Sequence, residues 1–256
     1  GAAQMTRPGG WPAGTGRLVL DEVDSTNAEA ARRAAAGEPG PLWIMARRQR
    51  AGRGRQGRGW ASPEGNLAAT LLLRPKMPPA EAALHSFAAA LAVADLCEGL
   101  LPRAEIALKW PNDVLIGGRK VAGILLESSG ARGRLDWLAI GIGVNLASAP
   151  ETVRPGGTPA TSLVAEGAPA LDAEDALDAL APPMALRTRR LAEEGFASLR
   201  RGWLARAAHL GRRIFVALPE GRIEGRFDDV DESGALVLHT PSGPRRIAAA
   251  EIHLPG

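Results

Sequence analysis

Four short segments carry residue types suited to handling anions. Gln49-Arg50-Ala51-Gly52-Arg53-Gly54-Arg55-Gln56-Gly57-Arg58-Gly59-Trp60 interleaves arginine with glycine. Glycine lets backbone N–H groups approach an anion closely, arginine offers planar donors matched to phosphate, and Trp60 offers a face for a purine. The alternative is a solvated basic loop. Lys109-Trp110-Pro111-Asn112-Asp113 puts a lysine at the end of an apolar run. A lysine there cannot snorkel far to water and wants a negative partner. That partner is either Asp113 or a substrate carboxylate and phosphate. Gly141-Ile142-Gly143-Val144-Asn145-Leu146 sets two glycines in a strand, the mark of close approach by a ligand or by tightly packed backbone. Asp24-Ser25-Thr26-Asn27 is helix-capping chemistry, and capping does not prevent Ser25 and Thr26 from touching a ligand.

Gly52 to Gly57 also matches the G-x-G-x-x-G dinucleotide pattern. That use requires a helix directly afterwards, so that its N-terminus meets the pyrophosphate. Gly59, Pro63 and Gly65 follow instead, and about twenty residues on, where an acid should stand, the chain reads Leu72-Leu73-Arg74-Pro75. No G-x-x-x-x-G-K-[ST] loop occurs either. Phosphates, if bound, are held by the Arg/Gly loop.

These segments need a scaffold, and the pattern supplies one. Arg17 to Val23 alternates as a strand. A helix opens at Asp24-Ser25-Thr26, with Thr26 and Glu29 at capping-box spacing, and ends at Gly37. Strands are expected at Leu42–Ala46, Leu67–Leu73 and Ile106–Trp110. A long helix is expected over Ala80–Leu101, between prolines. Val114–Ile116 and Lys120–Glu127 flank the hairpin signal Gly117-Gly118, and Leu135–Val144 is a further strand. Residues 147–160 are rich in proline and glycine and read as a mobile loop. Helical patterns follow, broken at Pro182-Pro183. The last 45 or so residues hold short strands at 213–218, 222–227, 235–240 and 245–249, the spacing of a small barrel. The reading is an α+β fold with a mixed sheet over 17–210, a small β-barrel over 211–256, and a leading segment 1–16 whose first residues are a cloning remnant before a natural Met5.

Bulk composition agrees with a globular protein and excludes little. The 256 residues carry a formal net charge of +3, too small to argue for nucleic acid. The charge is unevenly spread, with six arginines between Arg47 and Arg58 and no acid between Glu38 and Glu64. No run reaches the roughly 18 apolar residues of a membrane span. The single cysteine, Cys97, cannot form an internal disulfide and reads as core, which fits a reducing cytoplasm.

Together the segments resemble the biotin protein ligase family. GRGRQG resembles its GRGRxGR loop, KWPND its lysine motif, and RKVAGILLE, GIGVNL, VDSTN and ATSL are similarly placed. The C-terminal stretch from Leu210 resembles the family's small SH3-like domain. The resemblance spans residues 17–254 and lacks the N-terminal DNA-binding domain of the bifunctional members. Arg50, Gln56 and Ala248-Ala249-Ala250 depart from the common pattern. The resemblance implies a class II synthetase-like catalytic fold and a two-step reaction. Biotin's carboxylate attacks the α-phosphate of ATP, giving biotinyl-5′-AMP and pyrophosphate. A carrier lysine then takes the biotinyl group and releases AMP. It implies Mg²⁺ with ATP, and a biotin carboxyl carrier protein or domain as partner, with neither nucleic acid nor membrane involved.

It also implies roles. Lys109 and Arg55 are the catalytic cations. Ser25, Thr26, Gln49, Gly52, Arg53, Lys109, Gly123, Gly141 and Gly143 meet biotin, the last three as a floor. Arg53, Arg55, Trp60, Lys109, Asn112 and Asn145 meet ATP or the adenylate. Asp113 is either a proton acceptor or structural, and the metal ligands are left open. The Arg/Gly loop and residues 147–160 are expected to order as lids over a hydrolysis-prone intermediate. Rival readings are lipoate or octanoate ligation, for which the Arg/Gly loop and KWPND are the less suited, and a non-enzymatic biotin sensor.

Overall fold

The computed structural model describes residues 10–151 and 156–254. Part of the expected lid segment 147–160 therefore lies outside the described residues. Strands β1 (Gly16–Val23), β2 (Leu42–Gln49), β3 (Leu67–Leu73), β4 (Ile106–Lys109), β5 (Asp113–Ile116), β6 (Arg119–Ala131) and β7 (Arg134–Val144) form one mixed sheet. Its order is β1-β2-β3-β7-β6-β5-β4. Only the β1–β2 pair is parallel. β3 and β7 sit at its centre and are correspondingly apolar, Leu67 to Leu72 being buried on both faces.

Helix α1 (Thr26–Ala35) crosses one face. Ser25 is its N-cap, its hydroxyl accepting from Ala28 N–H at 3.0 Å. The capping-box spacing expected from Thr26 is thus off by one, and the Thr26 hydroxyl is left for the site. The expected Ala80–Leu101 helix is split into α2 (Pro79–Ala82) and α3 (His85–Leu100). The stretch Pro79–Leu100 is long and apolar enough to cross a membrane, but most of it is buried inside the protein. Helix α4 (Ala173–Glu194) runs unbroken through Pro182 and Pro183, against expectation. A mid-helix proline costs about 3 kcal/mol. Leu177, Leu180, Ala181 and Met184 are all fully buried around the two prolines, and their burial outweighs that cost.

After α5 (Phe196–Leu204) comes a five-stranded antiparallel sheet of β8 (Arg213–Leu218), β9 (Gly221–Val230), β10 (Leu236–Thr240), β11 (Gly243–Ile247) and β12 (Glu251–His253), ordered β11-β10-β9-β8-β12. β12 is the strand that sequence reading missed. One apolar cluster runs from the large sheet through α3 and α4 into Ile214, Val216, Phe227 and Leu238 of the small one. The segment between them is not slack. Residues 206–208 lie parallel to β4, with Leu108 N–H donating to Arg206 O at 2.8 Å and Ala208 N–H to Leu108 O at 2.7 Å.

Candidate active site

The four segments meet over the face of β6 and β7 around a cleft of about 440 Å³. Every residue expected at the site lines it except Gly52. A Cβ on Gly52 would lie 2.3 Å from Trp60 O, so this glycine serves the loop's own closure. The Arg/Gly loop is folded as a small hairpin. Gly54 N–H donates to Arg58 O at 2.7 Å and Trp60 N–H to Gly52 O at 2.9 Å, around a turn at 55–57 with Gln56 at φ 56°. Arg55 Nη1 reaches Ala250 O at 3.3 Å, and Arg53 Nη1 reaches Glu127 Oε1 at 3.1 Å.

One end of the cleft is a buried hydroxyl–amide network. Thr26 N–H donates to Gln49 Oε1 at 2.8 Å, and Gln49 Nε2 donates to Ser62 Oγ at 2.8 Å. Thr70, fully buried on β3, donates to Asn27 Oδ1 at 2.6 Å and lies 2.8 Å from Thr26 Oγ1. Asn27 Nδ2 continues to Leu125 O at 3.2 Å. Such groups held in one network are fixed in direction, which suits recognition of a small polar group by donors and acceptors.

The three floor glycines are filled from above by protein. A Cβ on Gly143 would fall 2.4 Å from Trp60 Nε1, one on Gly123 3.1 Å from Trp60 Cζ3, and one on Gly141 2.4 Å from Asn27 Oδ1. The glycines therefore let the Trp60 indole and the Asn27 amide lie flat on the sheet. Lys120 Nζ stands 5.3 Å over that indole and 2.8 Å from Asp113 Oδ1.

Lys109 Nζ donates to Thr158 Oγ1 at 2.8 Å. Asp113, the structural partner considered for Lys109, is bridged to Lys120. Burial first, and then the nearby Lys109 and Arg212 charges, lowers the His209 pKa from the ordinary imidazole value. The Asn112 side chain donates to Ile124 O, while Ile124 N–H donates to Asn112 O at 3.1 Å, so this residue also clamps β6. Asn145 is 2 % exposed, gives its Nδ2 to Thr161 O at 3.0 Å, and leaves Oδ1 buried without a hydrogen-bond partner among the described residues. An orphaned acceptor in a cleft wall is a place for a ligand N–H.

Sequence reading missed Asn27, Lys120, Thr158 and His253, all of which line the cleft. Asn27 was legible, since it sits in the capping segment. Lys120 was hidden by a bulge. β5 pairs Val114 with Ala122 but Leu115 with Lys120, so Val121 is an extra residue and the alternation of faces restarts there. Simple alternation sends Lys120 away from Gly123, whereas its Nζ lies 3.4 Å from where a Gly123 Cβ would be. Thr158 and His253 come from an aperiodic loop and from the missed strand β12, and carry no local signal.

Residues 19–145 match the biotin/lipoate A/B protein ligase family and residues 209–254 the biotin protein ligase C-terminal domain. A biotin–[acetyl-CoA-carboxylase] ligase of Paracoccus denitrificans is 50% identical over 93% of this chain and 100% of its own length. Its counterpart from Mycobacterium tuberculosis is 35% identical over 94% of this chain and 90% of its own. Among solved structures, a biotin protein ligase from Aquifex aeolicus in complex with biotin and ATP superposes with a TM-score of 0.76 at 28% identity, covering 93% of this chain and 97% of that one. Both family models and the relatives' identity over nearly their whole length point one way: the chain belongs to the biotin protein ligase family.

Proposed function

We propose that this cleft performs both halves of biotin ligation with the residues named above, and that the acceptor is the carrier protein or domain of a biotin-dependent carboxylase. The chain is an ATP-dependent biotin protein ligase: it converts biotin and ATP into biotinyl-5′-AMP and pyrophosphate, then passes the biotinyl group to a lysine. The first step brings a carboxylate against a triphosphate, so cations must offset the repulsion. Lys109 and Lys120 supply them from the strands, and Arg53 and Arg55 from the hairpin. Mg²⁺ enters with the substrate, as MgATP. Among the described residues no group of three His, Cys, Asp or Glu could cage it, and magnesium on phosphates needs few protein ligands.

The Thr26–Gln49–Asn27–Thr70 network supports a biotin head at one end. The adenine is assigned to the other end, against the Trp60 indole, with its exocyclic amine donating to Asn145 Oδ1. That orphaned oxygen is the observation that carries the assignment. The acid Asp113 is taken up by Lys120, which supports a structural role for it. A cytoplasmic location follows for an enzyme that needs ATP and a freshly made carrier. Incubation with labelled biotin, MgATP and a carrier domain tests the reading. Biotin-dependent pyrophosphate release followed by label on one carrier lysine is expected. Release dependent on lipoate or octanoate rather than biotin would overturn it.

A further inference from the structure

We infer that Glu127 is the residue that receives the incoming carrier lysine, and that Arg53 masks it until the adenylate has formed. The inference rests on the ligase reading above.

The second step poses a problem that the cleft's cations worsen. The acceptor arrives as an ammonium, and with a reference pKa near 10.4 only about one lysine in a few thousand is neutral at pH 7. Lys109, Lys120, Arg53 and Arg55 all repel it. A carboxylate near the cleft must offset that repulsion. Asp113 is engaged by Lys120 at 2.8 Å. Glu127 lies on β6 four residues beyond the floor glycine Gly123 and on the same face by alternation. One of its oxygens, Oε1, accepts from Arg53 Nη1 at 3.1 Å. The other, Oε2, is buried and has no hydrogen-bond partner among the described residues. A buried carboxylate oxygen left unpaired is costly, and calls for a donor that comes and goes.

Arg53 supplies the timing. It lines the cleft, yet its guanidinium is half exposed and held to Glu127 by a single ion pair. An adenylate phosphate is a stronger competitor for that guanidinium, being closer to the other cations and able to take it in two contacts. Once Arg53 turns to the phosphate, Glu127 Oε1 is released beside residues 128–131 of β6, which are exposed to solvent. The carrier ammonium then pairs with Glu127 and yields one proton to it. The nitrogen lone pair attacks the biotinyl carbonyl carbon, the bond from that carbon to the phosphate oxygen breaks, and AMP leaves with the electron pair. The new amide nitrogen loses its second proton to water, and Glu127 returns the first to solvent.

The variant Glu127→Gln keeps the shape and removes the charge. Two acceptors separate the roles: the carrier lysine, and hydroxylamine, which is neutral near pH 7 and needs no carboxylate. Preformed enzyme-bound adenylate should biotinylate the carrier at least tenfold more slowly in the variant, with hydroxamate formation within twofold of wild type. Transfer to the carrier at the wild-type rate would overturn the inference. So would equal slowing toward carrier and hydroxylamine, the mark of a merely structural role. Biotin-dependent pyrophosphate release by the wild-type enzyme is measured alongside. Its absence would sink the ligase reading itself, whereas its presence with a normal Glu127→Gln transfer rate sinks only the role given to Glu127.

Discussion

Adding a single methyl group at Gly143 tests whether the Trp60 indole is the purine platform. In Gly143→Ala the new Cβ falls 2.4 Å from Trp60 Nε1, 2.5 Å from Cε2 and 2.8 Å from Cζ2. Ordinary contacts of this kind lie at about 3.5–4.0 Å, so one side must give by roughly 1 Å. The strand cannot. Gly143 is paired on one side with Ala68 of β3 and on the other with Gly123 of β6, at the centre of the sheet. The indole, carried on a hairpin, is what moves. Stacking of a base on an aromatic side chain is worth about 1–3 kcal/mol, which at about 1.4 kcal/mol per tenfold is a 5- to 140-fold rise in KM for ATP. Biotin-dependent ATP–pyrophosphate exchange reads this directly. In a Trp60→Ala background the same substitution should add nothing, because the group it displaces is already gone. A full additional loss in the double variant would refute the reasoning. A rise in KM for biotin that persists without Trp60 would return Gly143 to the biotin floor.

Three more predictions follow from the same geometry. Lys109→Ala and Lys120→Ala should each slow adenylate formation at least a hundredfold with the fold intact, measured as pyrophosphate release; a near-wild-type rate for either removes that lysine from the first step. Arg55→Gly should form adenylate but lose it, since it gives up both a cation over the phosphate and the contact to Ala250 O; an unrelated lysine-rich protein left unlabelled while the carrier is labelled normally would contradict this. Burial lowers the pKa of His85 from about 6.5 to about 4, so only the unfolded chain takes up a proton between those values. Stability should therefore fall by up to about 3 kcal/mol as pH drops from about 6.5 to 4 and be flat above. Urea unfolding of wild type and His85→Gln across that window checks it, the variant being expected to lose the slope.

Most of the large sheet was legible because its strands announce themselves by apolar runs between turns. β3 appears as Leu67–Leu73 and β7 within a residue of its expected start. What failed did so where distant packing overrides local preference. Pro182-Pro183 reads as a helix break, yet buried neighbours on α4 hold the helix through both. Thr26 reads as the cap, but the Ser25 hydroxyl is better placed, and Thr26 joins a network with Gln49 and Thr70 that no local pattern reveals. The cleft residues were legible as segments, not as partners. Their meeting depends on β6–β7 pairing, and the one strand lysine overlooked, Lys120, was turned inward by a single extra residue, Val121.

The pairing of residues 206–208 with β4 bears on how the molecule could be divided. A cut between the two sheets, before Arg213, does not release a removable appendage. Trp110, next in the chain to Lys109, donates its indole N–H at 3.0 Å to Gly234 O, in the turn that joins β9 to β10. A cut before Ala205 would also strip the bridged segment 206–208 from β4 and expose its edge, an invitation to aggregation. A split reporter is better opened at the turn between β6 and β7, where Arg132 and Gly133 are exposed at φ 53° and 73°. There the two fragments would each keep half of a long antiparallel ladder, and the act of reassembly would rebuild the cleft.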